Sequence, residues 1–236
     1  MKKRYQTSET LPVGLLLALA GGFLDAYSYL NRGQVFATAE TGNLVLLGIN
    51  FSMGNWSQAL HYLLPVLAYT AGVLVTELLR RRLGEEGGWL HWRQYLLLME
   101  CVVIGAVAFL PHSLDPLANI MISFASAVQV DSFRKFNGCG CATTMCTGNL
   151  RSGTEHLFFW LSHREHDALA KMGVYYGLIL TFVVGAVASG LLSRWLYSQT
   201  ALIAILPLLI AFILMFRERA QDKYCLLYTS PSPRDS

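Results

Sequence analysis

Residues 21–44 read GGFLDAYSYLNRGQVFATAETGNL, and residues 127–150 read AVQVDSFRKFNGCGCATTMCTGNL. At an offset of 106 residues the two superpose without a gap. Asp25 falls on Asp131, Tyr27 on Phe133, Asn31 on Asn137 and Thr38 on Thr144, and Thr41-Gly42-Asn43-Leu44 falls on Thr147-Gly148-Asn149-Leu150. Past a seven-residue insertion, Tyr69-x-x-Gly72 and Leu78-Leu79-x-Arg81 fall on Phe182-x-x-Gly185 and Leu191-Leu192-x-Arg194. A single shared TGNL lies within chance, but the gapless set does not. The chain therefore reads as a duplicated unit, with a first repeat over 1–110 and a second over 111–224.

The unit is built of membrane material. Charged residues make up 14% of the 236, hydrophobic ones 54%, and the mean hydropathy is +0.42; soluble domains carry about 25% charged residues. Too few polar side chains remain to cover a globular surface. The same figures exclude disorder. Five cysteines exclude a disulfide-stapled secreted domain, and a net charge of +3 gives no argument for nucleic acid.

Six apolar stretches approach the roughly 20 residues of a spanning helix: Leu11–Leu30, His61–Leu79, Tyr95–Leu110, Leu114–Phe133, Met172–Leu192 and Thr200–Phe216. The breakers Gly84 to Gly88, Pro111 and Pro116 fall between them. Two further segments, Thr41–Phe51 and Thr147–Ser162, are shorter or more polar and read as re-entrant half-helices. Each repeat is then span, half-helix, span, span. Three crossings are an odd number, so the second repeat enters from the opposite face, as in inverted-repeat transporters with a midplane site. The expected fold is all-α and transmembrane, with six spanning helices and two re-entrant half-helices in two inverted repeats.

Charge asymmetry predicts the orientation. With both termini cytoplasmic, the inner side of a cell (inner) membrane receives Lys2, Lys3, Arg4, Arg80 to Arg82, Arg93, Arg134, Lys135, Arg151, Arg164, Lys171, Arg217, Arg219 and Lys223. The outer side receives Arg32 and Arg194. The start of the chain also has the form of a signal peptide, with Lys2, Lys3 and Arg4 before an apolar run and Ala18-Leu19-Ala20 as a cleavage-like site; the repeat argues that the segment is retained. At the other end, Cys225 to Asp235 read CLLYTSPSPRD, the in-frame product of a transposase adapter used in sequencing libraries. Residues 225–236 are set aside as a scar, the alternative being a Ser/Pro-rich tail.

The motifs Gly21-Gly22-Phe23-Leu24-Asp25-Ala26, Phe36, Thr41-Gly42-Asn43 and Thr143-Thr144-x-x-Thr147-Gly148-Asn149 resemble the bacterial YoaK-like family of integral membrane proteins. The resemblance covers nearly all of 11–217. It implies a six-span inner-membrane protein and no assigned activity.

The paired TGN sites are the strongest candidates for chemistry. Thr can cap a helix, Gly lets the backbone turn or approach a ligand, and the Asn amide offers a donor and an acceptor away from water. A helix starting there would aim unpaired N–H groups at a solute. The alternative is that Asn43 and Asn149 merely tie broken backbone to its neighbours, as membrane depth demands. The expected solute site is Thr41, Gly42, Asn43, Thr147, Gly148 and Asn149, with Thr38 and Thr144. Asp25, Asp131 and Glu40 are ionisable groups in or beside apolar helices and are candidates for gating or coupling; Asp25 and Asp131 could instead be braced by Arg32 or Arg134. Cys139, Cys141 and Cys146 lack the spacing of a firm zinc site, and their repeat mates are Gly33, Val35 and Glu40, so small-residue packing is expected there.

Together these residues predict a channel or permease for a small polar or anionic solute, with no catalytic residues, metal or cofactor. Its partners would be the lipid bilayer and the solute, with homo-oligomerisation left open. The rival readings are a non-catalytic scaffold and an intramembrane thiol or metal enzyme using the three cysteines.

Overall fold

The structure, a computed structural model, describes residues 6–83 and 92–215. The charges of 2–4 and 217–223, the breakers at 84–88 and the segment 225–236 lie outside the described residues. Helices cover every apolar stretch and both shorter segments: α1 (Leu11–Asn31), α2 (Glu40–Ser52), α3 (Trp56–Leu83), α4 (Trp92–Ala108), α5 (Asp115–Ser132), α6 (Cys146–His163), α7 (His166–Leu196) and α8 (205–215). A 3₁₀ segment, Tyr197–Ala204, joins the last two.

Among the described residues, three stretches are long and apolar enough to cross a membrane: Leu11–Asn31, Trp56–Arg82 and His166–Met215, the last containing α7, the 3₁₀ segment and α8. The other two expected spans fall short for visible reasons. α4 has 17 residues and carries Glu100, and α5 carries Asn119, Ser123, Ser126, Gln129 and Asp131 within 18 residues. That polar content is buried against other helices, so hydropathy alone undercounts the helical layer.

Hydrogen bonds sort the helix ends into two groups. At one end, Arg93 at the start of α4 meets Glu9 ahead of α1 (3.4 Å), and Asp131 at the end of α5 pairs with Arg80 at the end of α3 (3.2 Å). At the other end, Arg32 after α1 bonds the carbonyls of Val107 in the last turn of α4 and of Leu110 just past it, and pairs with Asp115 at the start of α5. Asn31 bonds Ser193 late in α7, and His61 early in α3 bonds the Gly33 carbonyl. So α1, α4 and α7 run one way, and α3 and α5 run the other.

The main packing pairs cross between the repeats: α1 lies on α7 and α3 lies on α5, while α2 lies on α3 and α6 on α7. Glycine allows the closest approach. A Cβ on Gly22 would strike the Phe182 carbonyl, and one on Gly185 the Leu19 carbonyl; one on Gly72 would sit 2.7 Å from the Phe124 oxygen. Gly72 and Gly185, which fall on each other in the sequence repeat, thus each touch the backbone of a helix from the other half. Small residues of this kind let membrane helices meet without a hydrophobic driving force.

A two-stranded hairpin, Lys135–Phe136 (β1) with Cys139–Gly140 (β2), interrupts the helical pattern. Its two-residue turn is Asn137-Gly138, with φ of +48° and +78°, the pair that a tight primed turn favours. The hairpin docks on the start of α1: Asn137 N–H donates to Glu9 O (2.7 Å), Asn137 Oδ1 accepts from Leu11 N–H (3.0 Å), and the buried Phe136 ring covers Gly14. Hydropathy gave no sign of a hairpin, but the Asn-Gly dipeptide was one.

Candidate functional site

After α1 the chain turns at Gly33 and Gln34, both at positive φ, and doubles back along the helix it has just left. Ala37 N–H donates to Ser28 Oγ (3.1 Å), Thr38 N–H to Asp25 Oδ1 (2.7 Å) and Thr38 Oγ1 to the Gly21 carbonyl (3.3 Å). Gly21 lies about 15 Å below the end of α1 at 1.5 Å per residue. Asp25 is buried and serves an extended backbone that has no sheet to complete it. It does not pair with Arg32, which goes to Asp115; the bracing alternative holds for Asp131, which pairs with Arg134 and Arg80.

The second repeat follows the same plan with different contacts. Beyond the hairpin, the chain returns along α5 until Thr143 Oγ1 meets the side-chain amide of Gln129 (3.3 Å). Thr144 then places its methyl where a Cβ on Gly21 would be, 2.6 Å away. Thr38 and Thr144 therefore converge on one glycine of α1. Glu40 and its repeat mate Cys146 both lie within electrostatic reach of Asp25.

The asparagines make equivalent ties. Asn43 Nδ2 donates to Phe36 O and Asn149 Nδ2 to Ala142 O, each 2.7 Å and each seven residues back. Asn43 Oδ1 also accepts from Phe36 N–H (3.0 Å), and its amide nitrogen reaches Glu40 Oε2 (2.7 Å). The expectation that Thr caps these helices is not met. α2 and α6 begin one residue earlier, at Glu40 and Cys146, with Ala39 and Met145 in the cap positions and no side-chain cap bond. Thr41 and Thr147 stand exposed in the first turn. The buried Asn at the fourth position fastens the preceding strand instead, so no hydroxyl cap is needed.

A cavity of about 540 Å³ opens at the start of α6, between it and α3 and α5, and is lined by Tyr69, Asp131, Arg134, Gly148, Asn149 and Arg151 among others. Thr41, Gly42 and Asn43 do not line it. The structure thus brings Gly148, Asn149 and Asp131 to one cavity, brings Thr38 and Thr144 together at Gly21 with Asp25 bound to the Thr38 N–H, sets Glu40 on Asn43, and leaves the two threonines of the TGN motifs outside both the cavity and the Gly21 contact. The described residues hold no cluster of three metal-ligating side chains. Cys139 and Cys141 are buried in and beside the hairpin, Cys141 Sγ donates to the Cys139 carbonyl (3.3 Å), and burial pushes the Cys141 thiol up to about 12. Such a thiol is a packing group rather than a nucleophile.

The structure gives two buried polar groups partners that sequence reasoning did not name. Arg32, with no exposed side-chain surface, finds Asp115 across 83 positions, and Glu100 finds Gln129 of α5. Both are ionisable residues in apolar surroundings, which was signal enough to mark them but not to name their partners.

Residues 13–215 match the family described as "Protein of unknown function (DUF1275)". The UPF0700 transmembrane protein YoaK of Bacillus subtilis (strain 168) is 26% identical over 181 residues, which cover 73% of this chain and 79% of that protein. No solved structure matches the chain. With a match across nearly the whole helical layer and a transmembrane relative, the chain belongs to the DUF1275 family and is a multi-pass membrane protein.

Proposed function

We propose that the protein is a channel or permease of the inner membrane for a small polar or anionic solute, and not an enzyme. Six crossings and two re-entrant half-helices form two repeats of opposite polarity. The observation that carries this reading is the convergence of Thr38 and Thr144 on Gly21, supported by the matched ties of Asn43 and Asn149. A backbone that leaves its helix, turns back inside the layer and starts a new helix there is tolerated at membrane depth only where it is buried or lines a cavity. α2 is about 20 Å long and α6 about 27 Å, so the first fits a half-crossing and the second runs further. The cavity supplies the solute's place: a helix start with its partial positive charge, the Asn149 amide, and the guanidinium groups of Arg134 and Arg151. Asp131, held between Arg80 and Arg134, would gate it.

Flux tests this directly. Proteoliposomes challenged with urea, glycerol, formate and nitrate are expected to pass at least one of them faster than empty vesicles. Asn43→Ala and Asn149→Ala are each expected to reduce that flux while the protein stays monodisperse, because a membrane hydrogen bond is worth only about 0.6 to 2 kcal/mol. Combined, they are expected to couple by roughly 0.5 kcal/mol or more. Additive losses, or variants that fail to fold, would return the pair to a purely structural role and favour the scaffold reading.

The topology has its own test. Single cysteines at Ser113 and Glu86, in a background without native cysteines, are expected to react with an impermeant thiol reagent from outside and inside respectively. Labelling of both from outside intact cells would remove the inverted repeat.

A further inference from the structure

Glu100 is 2% exposed in the middle of α4, and no charged side chain among the described residues pairs with it. The adjacent titratable group is the Cys101 thiol of its own helix; from α5 it meets one end of the Gln129 amide, whose other end lies beside Thr143 Oγ1 and Leu17 O of α1. A buried carboxylate without a cation costs free energy unless its hydrogen bonds compensate. Among the described residues the amide of Gln129 faces it, and that amide has two ends of nearly the same shape.

Each orientation of Gln129 suits one protonation state. With the amide nitrogen turned away, it donates to Thr143 Oγ1 (3.3 Å) and Leu17 O (3.4 Å), and the carbonyl oxygen faces the carboxyl. Two acceptors then oppose each other unless the carboxyl carries a proton to donate. With the amide turned round, its nitrogen lies 2.7 and 3.1 Å from the two carboxyl oxygens, and its carbonyl accepts from Thr143 Oγ1 at 3.3 Å. That arrangement suits the ionised carboxylate. The proton passes to water, and the bonding pair stays on the oxygen.

We propose that Glu100 is a reversible proton-binding site inside the membrane, and that Gln129 reports its state to the broken segment of the second repeat by turning its amide. Thr143 is an acceptor in one state and a donor in the other. Its neighbours on either side are Ala142, whose carbonyl holds Asn149, and Thr144, which sits on Gly21. The chemical class of the bound species is the proton, and the use made of it, coupling to solute movement, rests on the transport reading above.

The site can be tested without any solute. Infrared difference spectra of the purified protein in lipid, taken across roughly pH 5 to 9, are expected to contain a carboxylic-acid C=O band that is lost as the pH rises. Glu100→Gln, which keeps the shape, is expected to remove that band, and Gln129→Leu to shift its frequency. A spectrum that is unchanged by Glu100→Gln at every pH would overturn the proposal, and so would a Glu100 band that persists across the whole range. If the band titrates but proteoliposomes pass no solute, the transport reading fails and the proton site stands. If solute passes but Glu100→Gln leaves the spectra unaltered, the reverse holds.

Discussion

Gly185→Ala is expected to break the α1–α7 pair and with it the folded protein, although it adds one methyl group. The added Cβ would collide with the Leu19 carbonyl and lie 3.0 Å from the Phe23 nitrogen. Both are backbone atoms inside a helix, so neither can swing aside, and the helices must separate along their length. Overpacking of a core ordinarily costs about 1–3 kcal/mol; loss of contact along the whole pair would exceed that. Gly173→Ala on the same helix meets nothing within 4 Å, and is expected to be neutral or to gain up to about 1 kcal/mol from helix propensity. Size-exclusion profiles and thermal unfolding in detergent compare the two. A monodisperse Gly185→Ala protein that melts with the wild type would show that the helices do not meet backbone to backbone.

Asp115→Ala is expected to destabilise the protein by about 3–5 kcal/mol, because it strands a buried guanidinium. Arg32 pairs with Asp115 at 2.8 Å, and it also donates to the carbonyls of Val107 and Leu110 and to the Tyr27 hydroxyl. The Leu110 carbonyl lies just past the end of α4, where no intrahelical donor remains, whereas the Val107 carbonyl also accepts from Leu110 N–H (3.1 Å). Arg32→Met combined with Asp115→Ala removes the stranded charge, so it is expected to recover part of the loss. A deficit of about 1–3 kcal/mol should persist from the orphaned Leu110 carbonyl. Equilibrium unfolding of the two single variants and the double one measures this. A double variant less stable than Asp115→Ala alone would show that the cation is held by its backbone acceptors, with the carboxylate contributing little.

Most of the helical layer was legible in the sequence, since apolar length and the repeat depend on residues near one another. His61–Leu79 and Met172–Leu192 were found inside longer helices, and the short segments after each Asp were set apart by their polarity. Partners were not legible, because the bonds that decide them join distant positions. Arg32 was expected near Asp25, seven residues away, and took Asp115 because the end of α1 meets the start of α5. The TGN motif does stand in the first turn of α2 and of α6, but its threonines were given a capping task that they do not perform. The amide that the same motif buries makes the threonine cap unnecessary by holding the strand that leads into the helix. Glu100 is a charge in an apolar run, yet nothing in the sequence indicates a facing amide 29 positions later.

The hairpin of β1 and β2 sets an order of assembly. Translation delivers α1 first, yet the Asn137 side chain that satisfies its first N–H, and the Phe136 ring that fills the notch at Gly14, arrive only after five helices have emerged. The helix along which α1 chiefly packs, α7, comes later still. The first helix must therefore wait in the bilayer without its principal partner and without the ties at its start, held by its own hydropathy and by the bonds of its far end to α3 and α4, until the second half is made. A ribosome stalled between the halves would leave a chain that is inserted and unassembled, and an excess of separately made second half could seat it.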